Sequence, residues 1–331
     1  MSFRTLLESR KKRIDTRLAE LLQTSTPEFS GLYEAMNYSL NAGGKRIRPV
    51  LFLAVLEAAG KDPDSFFDLA CALECVHSYS LIHDDLPAMD NDDFRRGKPT
   101  NHKVYGDGTA VLAGDGLLTY AFELMAAQSV APAHKILQAI RIFAHAAGPA
   151  GMVGGQYFDL QSEGGVPTRA AMELMHRSKT GVIFTAIVQM AALLADVSDE
   201  TMKALTMYGD QLGLAFQITD DILDVVGSEK EMGKPVGSDE KNHKTTYVSL
   251  LGVEGAREEA KQTTARALAA LQGFDENAEF SAESAGVFPR RCCMNRTGRR
   301  VEANYRASVK LRFVLSRCHT SIATNKAPHR E

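Results

Sequence analysis

The chain has 331 residues, of which 44% are hydrophobic and 24% charged, values typical of a folded globular protein. No uninterrupted apolar run reaches the ~20 residues of a membrane helix, and the opening MSFRTLLESRKKRIDTRLAELL fits neither a secretory signal nor a transit peptide. A cytoplasmic protein without stable membrane insertion is expected. The formal net charge of -3 conceals a division, because residues 281–331 carry 11 Lys+Arg against 3 Asp+Glu while the preceding residues balance to -11.

Apolar residues recur at three- and four-residue spacing over 65–86, 108–127, 169–196, 200–226 and 254–272, and strand signals are scarce. Prolines such as Pro49, Pro63, Pro87, Pro132 and Pro149 fall between these runs, where they start or stop helices. Stretches such as GVIFTAIVQMAALLA are apolar on more than one face, as in a helix buried within a bundle. One all-α domain over residues 1–280 is expected, followed by an atypical basic, poorly ordered tail at 281–331. Cys71 and Cys75 lie one helical turn apart in an apolar run and read as core thiols; Cys292 and Cys293 lack a second pair at zinc-site spacing.

The first chemically loaded stretch is AGGKRIRPV, where a glycine pair precedes Lys45, Arg46 and Arg48. The helix of 65–86 then ends in HDDLPAMDNDDFRRGKPTNH. Asp84 and Asp85 occupy its last turn, although a helix C-terminus favours cations, so an attracting partner such as a divalent metal is implied. Asp90 folds back past Pro87 toward the same place, and Arg95 and Arg96 follow. His77, seven residues before Asp84, lies on nearly the same face; a lone histidine on an apolar helix is ordinarily a core residue, and His83 keeps that reading.

Further on come GGQYFDL with Gln156 and Asp159, HRSKTG with Lys179 and Thr180, and FQITDDILDV with Gln217, Asp220, Asp221 and Asp224. Asp220 and Asp224, four apart on an apolar helix, share a face and repel unless compensated. One such cluster alone could be a solvated acidic stripe; two, each emerging from a buried-looking helix, point to Mg²⁺, which favours hard carboxylate oxygens completed by water and phosphate. The bases Lys45, Arg46, Arg48, Arg95, Arg96, Lys179, Lys234 and Lys244 would converge on phosphate groups.

Together, GGKRIRP, HDDLPAMDNDDFRRGKPTNH, GGQYFDL, KTG and FQITDDILD closely resemble the trans-isoprenyl diphosphate synthases, with the bacterial farnesyl-forming members nearest, over about residues 30–272. The resemblance implies an isoprenoid-synthase helical bundle around a central cavity, and a homodimer. It implies a prenyltransferase condensing isopentenyl diphosphate with dimethylallyl or geranyl diphosphate. Asp84, Asp85 and Asp90 match the first aspartate-rich motif and Asp220, Asp221 and Asp224 the second, which in the family hold three Mg²⁺ ions. Arg95, Lys179 and Lys234 match allylic-diphosphate contacts, with Lys244 a further base. Lys45, Arg48, His77 and Arg96 match the isopentenyl diphosphate pocket. Thr180 and Gln217 match groups that steady the allylic carbocation, with Gln156 and Asp159 behind them. Ser80 lies most squarely one turn below Asp84, but the resemblance nominates Tyr79 as the floor that sets a fifteen-carbon product.

Alternatives are a geranyl or geranylgeranyl diphosphate synthase, a class I terpene cyclase and a non-catalytic regulatory subunit. A cyclase needs no second diphosphate pocket, against which Lys45, Arg48 and Arg96 stand; a regulatory subunit would be expected to lack aspartates that are complete here. The basic tail shows no nucleic-acid module. It departs from the family's closing helix, and its composition is that of a sequence read out of frame or of an unrelated extension.

Overall fold

The computed structural model describes residues 3–162, 165, 168–227 and 244–271. Lys234 and the tail expected over 281–331 lie outside them. The periodic stretches become helices: α1 Phe3–Leu21, α2 Ser30–Leu40, α3 Ile47–Ala58, α4 Phe67–Asp84, α5 Asn101–Tyr105, α6 Asp107–Ala126, α7 Ala133–Ala147, α8 Met152–Ser162, α9 Arg169–His176, α10 Val182–Leu194, α11 Asp199–Val226 and α12 Tyr247–Ala270. The all-α expectation holds. Among the described residues the only sheet is a hairpin pairing Phe94–Arg95 with Lys98–Pro99.

Helix starts follow local chemistry. Pro63 opens a 3₁₀ turn capped by Asp62, and the Ser198 hydroxyl accepts from the Thr201 N–H at 3.2 Å to begin α11. Thr246 and Ser249 form a reciprocal capping box for α12, which kinks at Gly252, where φ is 69°. Helix α4 stops at Asp84 rather than Leu86, with Asp85 as its C-cap.

Helix α4 is buried on most of its circumference, from Leu69 through Ile82, packing on α6, α3 and α1. Its rigid core placement carries Asp84 to a fixed point. A main core gathers residues of α1–α7, α10 and the first half of α11. A separate cluster joins Met172 and Met175 to Leu214, Ile218, Ile222, Tyr247, Ala256 and Ala260. Between them, Arg177–Gly181 form one π turn, with the Val182 N–H bonded to the Arg177 carbonyl. Ala133–Ser162 has the length and apolar composition of a bilayer-crossing segment. It consists of α7 and α8, separated at Gly148–Gly151.

Candidate active site

The end of α4 is where charge collects. Asp85 is buried and accepts from Arg95, at 2.7 and 2.9 Å from Nε and 2.6 Å from Nη2. Burial nevertheless pushes its pKa up to about 6, against the pull of Arg95. The Asp90 N–H donates to the Asp84 carbonyl at 2.9 Å, so the chain folds back past Pro87 as expected. Burial raises the Asp84 pKa, Lys179 opposes this, and Asp90 adds to it. Lys244 reaches this cluster from 154 residues away, its Nζ 3.0 Å from Asp90 and 3.8 Å from Asp159. Lys179 Nζ donates to Asp159 at 2.7 Å. Burial works to raise Asp159, but Lys179 and Lys244 prevail and hold it low.

On the α3 side, the bases divide. Arg46, offered by the sequence as one more phosphate base, is 2% exposed and structural. It donates to Asp15, to Glu74 and to the Leu40 carbonyl, each at 2.7 Å, from a left-handed backbone with φ 49°. Glu74 was missed by the sequence reading; its signal was a lone acid inside the uncharged stretch ALECVHS. Lys45 is exposed and Arg48 half-buried. The Arg48 guanidinium lies 5.2 Å from the centre of the Phe184 ring. Burial lowers the Arg48 pKa, while Glu74 and Asp220 pull it up, which ties α3 electrostatically to the second aspartate cluster. His77 is held neutral by burial and by Arg48, Arg96, Arg95 and Arg46 around it. Arg96 bonds to the Gly43 carbonyl, and a Cβ on Gly44 would sit 2.8 Å from its guanidinium carbon. Bare Gly44 and the Gly43 carbonyl together cradle Arg96. Burial lowers Arg96 to about 10.

The third wall is the π turn. A Cβ on Gly155 would stand 2.3 Å from the Lys179 backbone nitrogen, and one on Gly213 2.6 Å from the Gly181 Cα. These close approaches press α8 and α11 onto Lys179 and Thr180. Thr180 donates to Gln217 Oε1 at 3.0 Å, and Gln217 Nε2 donates to Asp221 Oδ1 at 3.0 Å. Asp221 Oδ2 accepts the Tyr247 N–H at 2.9 Å. Gln156, one turn from Asp159, has both amide atoms buried with no hydrogen-bond partner. Asp221 and Asp224 are buried and Asp220 half-buried.

One turn before Asp84, the buried Tyr79 ring meets His83 edge-on at 5.7 Å, and burial pushes its phenol up to about 12, with Asp84 adding to the rise. Ser80 donates to the His77 carbonyl at 3.0 Å. His83 bonds to the Val111 carbonyl at 3.0 Å over Gly114, a packing role.

Among the described residues no three His, Cys, Asp or Glu side chains stand together as a ready metal cage. The donor set still fits Mg²⁺: the loaded groups are hard carboxylates, and Asp84 and Asp90 gather like charge beside a buried helix end with protein cations alone to offset it.

The chain matches the polyprenyl synthetase family over residues 30–283. It is 48% identical over 261 residues to a farnesyl diphosphate synthase of Geobacillus stearothermophilus, covering 78% of this chain and 87% of that one. It is 45% identical over 276 residues to a geranylgeranyl diphosphate synthase of Cyanophora paradoxa, covering 83% and 91%. A geranyltransferase of Helicobacter pylori, solved with magnesium and isoprenyl diphosphate, superposes with a TM-score of 0.78 at 30% identity, covering 97% of this chain and 98% of that one.

Proposed function

The chain belongs to the polyprenyl synthetase family, and from that premise we infer that it is a farnesyl diphosphate synthase. It joins isopentenyl diphosphate to dimethylallyl diphosphate and then to geranyl diphosphate. The observation that carries this reading is the placement of Lys179, Thr180 and Gln217 between the two aspartate clusters, beside the separate base cradle of Arg48, His77 and Arg96. A cyclase has no use for that second cradle.

Arg95 and Lys179, with Lys234 and Lys244, take the allylic diphosphate, and their charge favours its departure from the allylic carbon. Carboxylates drawn from both clusters would hold Mg²⁺, as three ions, which would supply further neutralisation of the leaving group when bound. Thr180 and Gln217 set oxygens beside the carbon left electron-poor. Lys45, Arg48, His77 and Arg96 hold isopentenyl diphosphate so that its double bond faces that carbon, and positioning replaces a protein nucleophile. Neutral His77 can donate one hydrogen bond without adding to the crowd of arginines. The same reading makes the enzyme a cytoplasmic homodimer, supported by the exposed apolar Val104, Val111 and Leu112 on α5 and α6.

Incubation with isopentenyl and geranyl diphosphates, with and without chelator, tests the reaction; turnover indifferent to chelation would overturn the metal assignment. Buried Tyr79 favours the fifteen-carbon product over the twenty-carbon one. Tyr79→Ala should lengthen the products, and an unchanged distribution would remove Tyr79 as the floor.

A further inference from the structure

The carboxylates of the second cluster are not equivalent. Asp221 is 2% exposed, and each of its oxygens accepts from a protein donor: Oδ1 from Gln217 Nε2 at 3.0 Å, Oδ2 from the Tyr247 N–H at 2.9 Å. A carboxylate can only accept, so the NH₂ end of the Gln217 amide must face it. Gln217 Oε1 then points away, and the Thr180 hydroxyl donates to it at 3.0 Å. A hydroxyl has one proton. With that proton committed to Gln217, Thr180 Oγ1 presents lone pairs elsewhere. The direction of the whole chain is fixed at its far end. Tyr247 begins α12 and its ring is fully buried, so its N–H, which has no partner within the helix, cannot turn away.

Resting on the reading above, in which Thr180 and Gln217 lie beside the allylic carbon, we propose that Asp221 is a positioning residue. It orients the Gln217 amide and, through it, turns the lone pairs of Thr180 toward the carbon that becomes positive. An oxygen already aimed at developing positive charge needs no reorganisation during the reaction, whereas a hydroxyl proton aimed there would oppose it. The second cluster thereby divides: Asp220 and Asp224 serve the metal, and Asp221 serves the polarity of the hydrogen-bond chain.

Asp221→Asn tests the division. The Tyr247 N–H takes the oxygen of the introduced amide, whose NH₂ then faces Gln217 and forces that side chain to flip. Thr180 becomes an acceptor and its proton turns outward. The expected result is a fall in kcat of about 10²-fold. Binding of Mg²⁺ with inorganic diphosphate, followed by titration calorimetry without turnover, should stay within about twofold, while Asp84→Asn weakens it. Combining Asp221→Asn with Gln217→Glu restores the polarity. The introduced carboxylate accepts from Thr180 and from the introduced amide, whose oxygen keeps the Tyr247 N–H. This double variant should recover at least about tenfold in kcat over Asp221→Asn. The proposal is overturned if Asp221→Asn loses Mg²⁺–diphosphate binding as Asp84→Asn does, or if the double variant is no better than the single one. Should Asp221→Asn alone not fold by circular dichroism, the double variant is read against the parent: kcat within about tenfold of it with intact Mg²⁺–diphosphate binding supports the proposal, and a fall of about 10²-fold or more overturns it. A wild-type protein without Mg²⁺-dependent turnover would be a failure of the underlying reading, visible before any variant is made.

Discussion

The two aspartate clusters solve one electrostatic problem in different ways. The first sits at a helix C-terminus, where the backbone adds its own negative end, and the chain answers with full cations from outside the helix: Arg95 on Asp85 and Lys244 on Asp90. The second lies in the last two turns of α11, near a helix end as well, but is answered differently. There Asp221 is met by neutral donors, an amide one turn earlier and the first N–H of the next helix. Cations can be exchanged for a metal and its diphosphate, whereas backbone and amide donors fix a geometry. The first cluster is built to trade partners and Asp221 to keep them.

Four measurements press on that contrast. Removing charge where trading occurs should matter most: Asp84→Asn should lower turnover by roughly 10³-fold, about 4 kcal/mol in transition-state stabilisation, and raise the Mg²⁺ requirement in steady-state kinetics. Breaking the strongest pair of the first cluster comes next. Arg95→Met leaves Asp85 buried without its guanidinium and should cost about 3 kcal/mol in urea unfolding at pH 7. The loss should shrink at pH 5, where the Asp85 carboxyl, raised to about 6, is protonated in the fold.

The third measurement uses the opposite signs of two buried groups. His176, packed on Tyr247, is lowered by burial to about 4. Between that value and the ordinary 6.5 the unfolded chain binds more protons, so stability is lost as pH falls through this window. Asp85, raised from 3.8 to about 6, gains protons first in the fold, so its contribution rises as pH falls through its own window. His176→Phe removes only the first effect. The difference in stability between pH 5 and pH 7 should move by about 2 kcal/mol in favour of pH 5, measured against the parent. The smallest effect is expected for Lys244→Ala, about tenfold in kcat/KM for the allylic diphosphate, or roughly 1.4 kcal/mol.

Much of this was legible in the chain because it is written locally. The spacing of apolar residues gave α4, α6, α10 and α11, and Asp84 beside Asp85 at a helix end announced an uncompensated charge. The glycine pair before Lys45 is plain in the sequence, but that the bareness of Gly44 seats Arg96, 52 residues later, follows only from the folded geometry. Arg46 and Arg48 look alike in GGKRIRP; a left-handed φ at Arg46 sends one inward to Glu74 and leaves the other at the cavity. Lys244 and Asp90 meet across most of the chain, beyond any local pattern. The equal aspartates of FQITDDILD became unequal only when the next helix brought the Tyr247 N–H to one of them.

The π turn has a consequence for how this protein tolerates changes in length. Helices α9 and α10 and the turn between them form one rod, and the turn houses one residue more than an α-helical register requires. That surplus acts as a phase shifter. Before it, Met172 and Met175 face the small cluster with Tyr247; after it, Ile183, Phe184 and Ile187 face the main core. Deleting a single residue between Arg177 and Gly181 would let the rod relax to a regular helix at little local cost. Everything beyond would then rotate by about 100° relative to what precedes it. Phe184 would leave Arg48, and both cores could not be satisfied together. A substitution here is a local event, but a one-codon deletion would be felt along the length of α10.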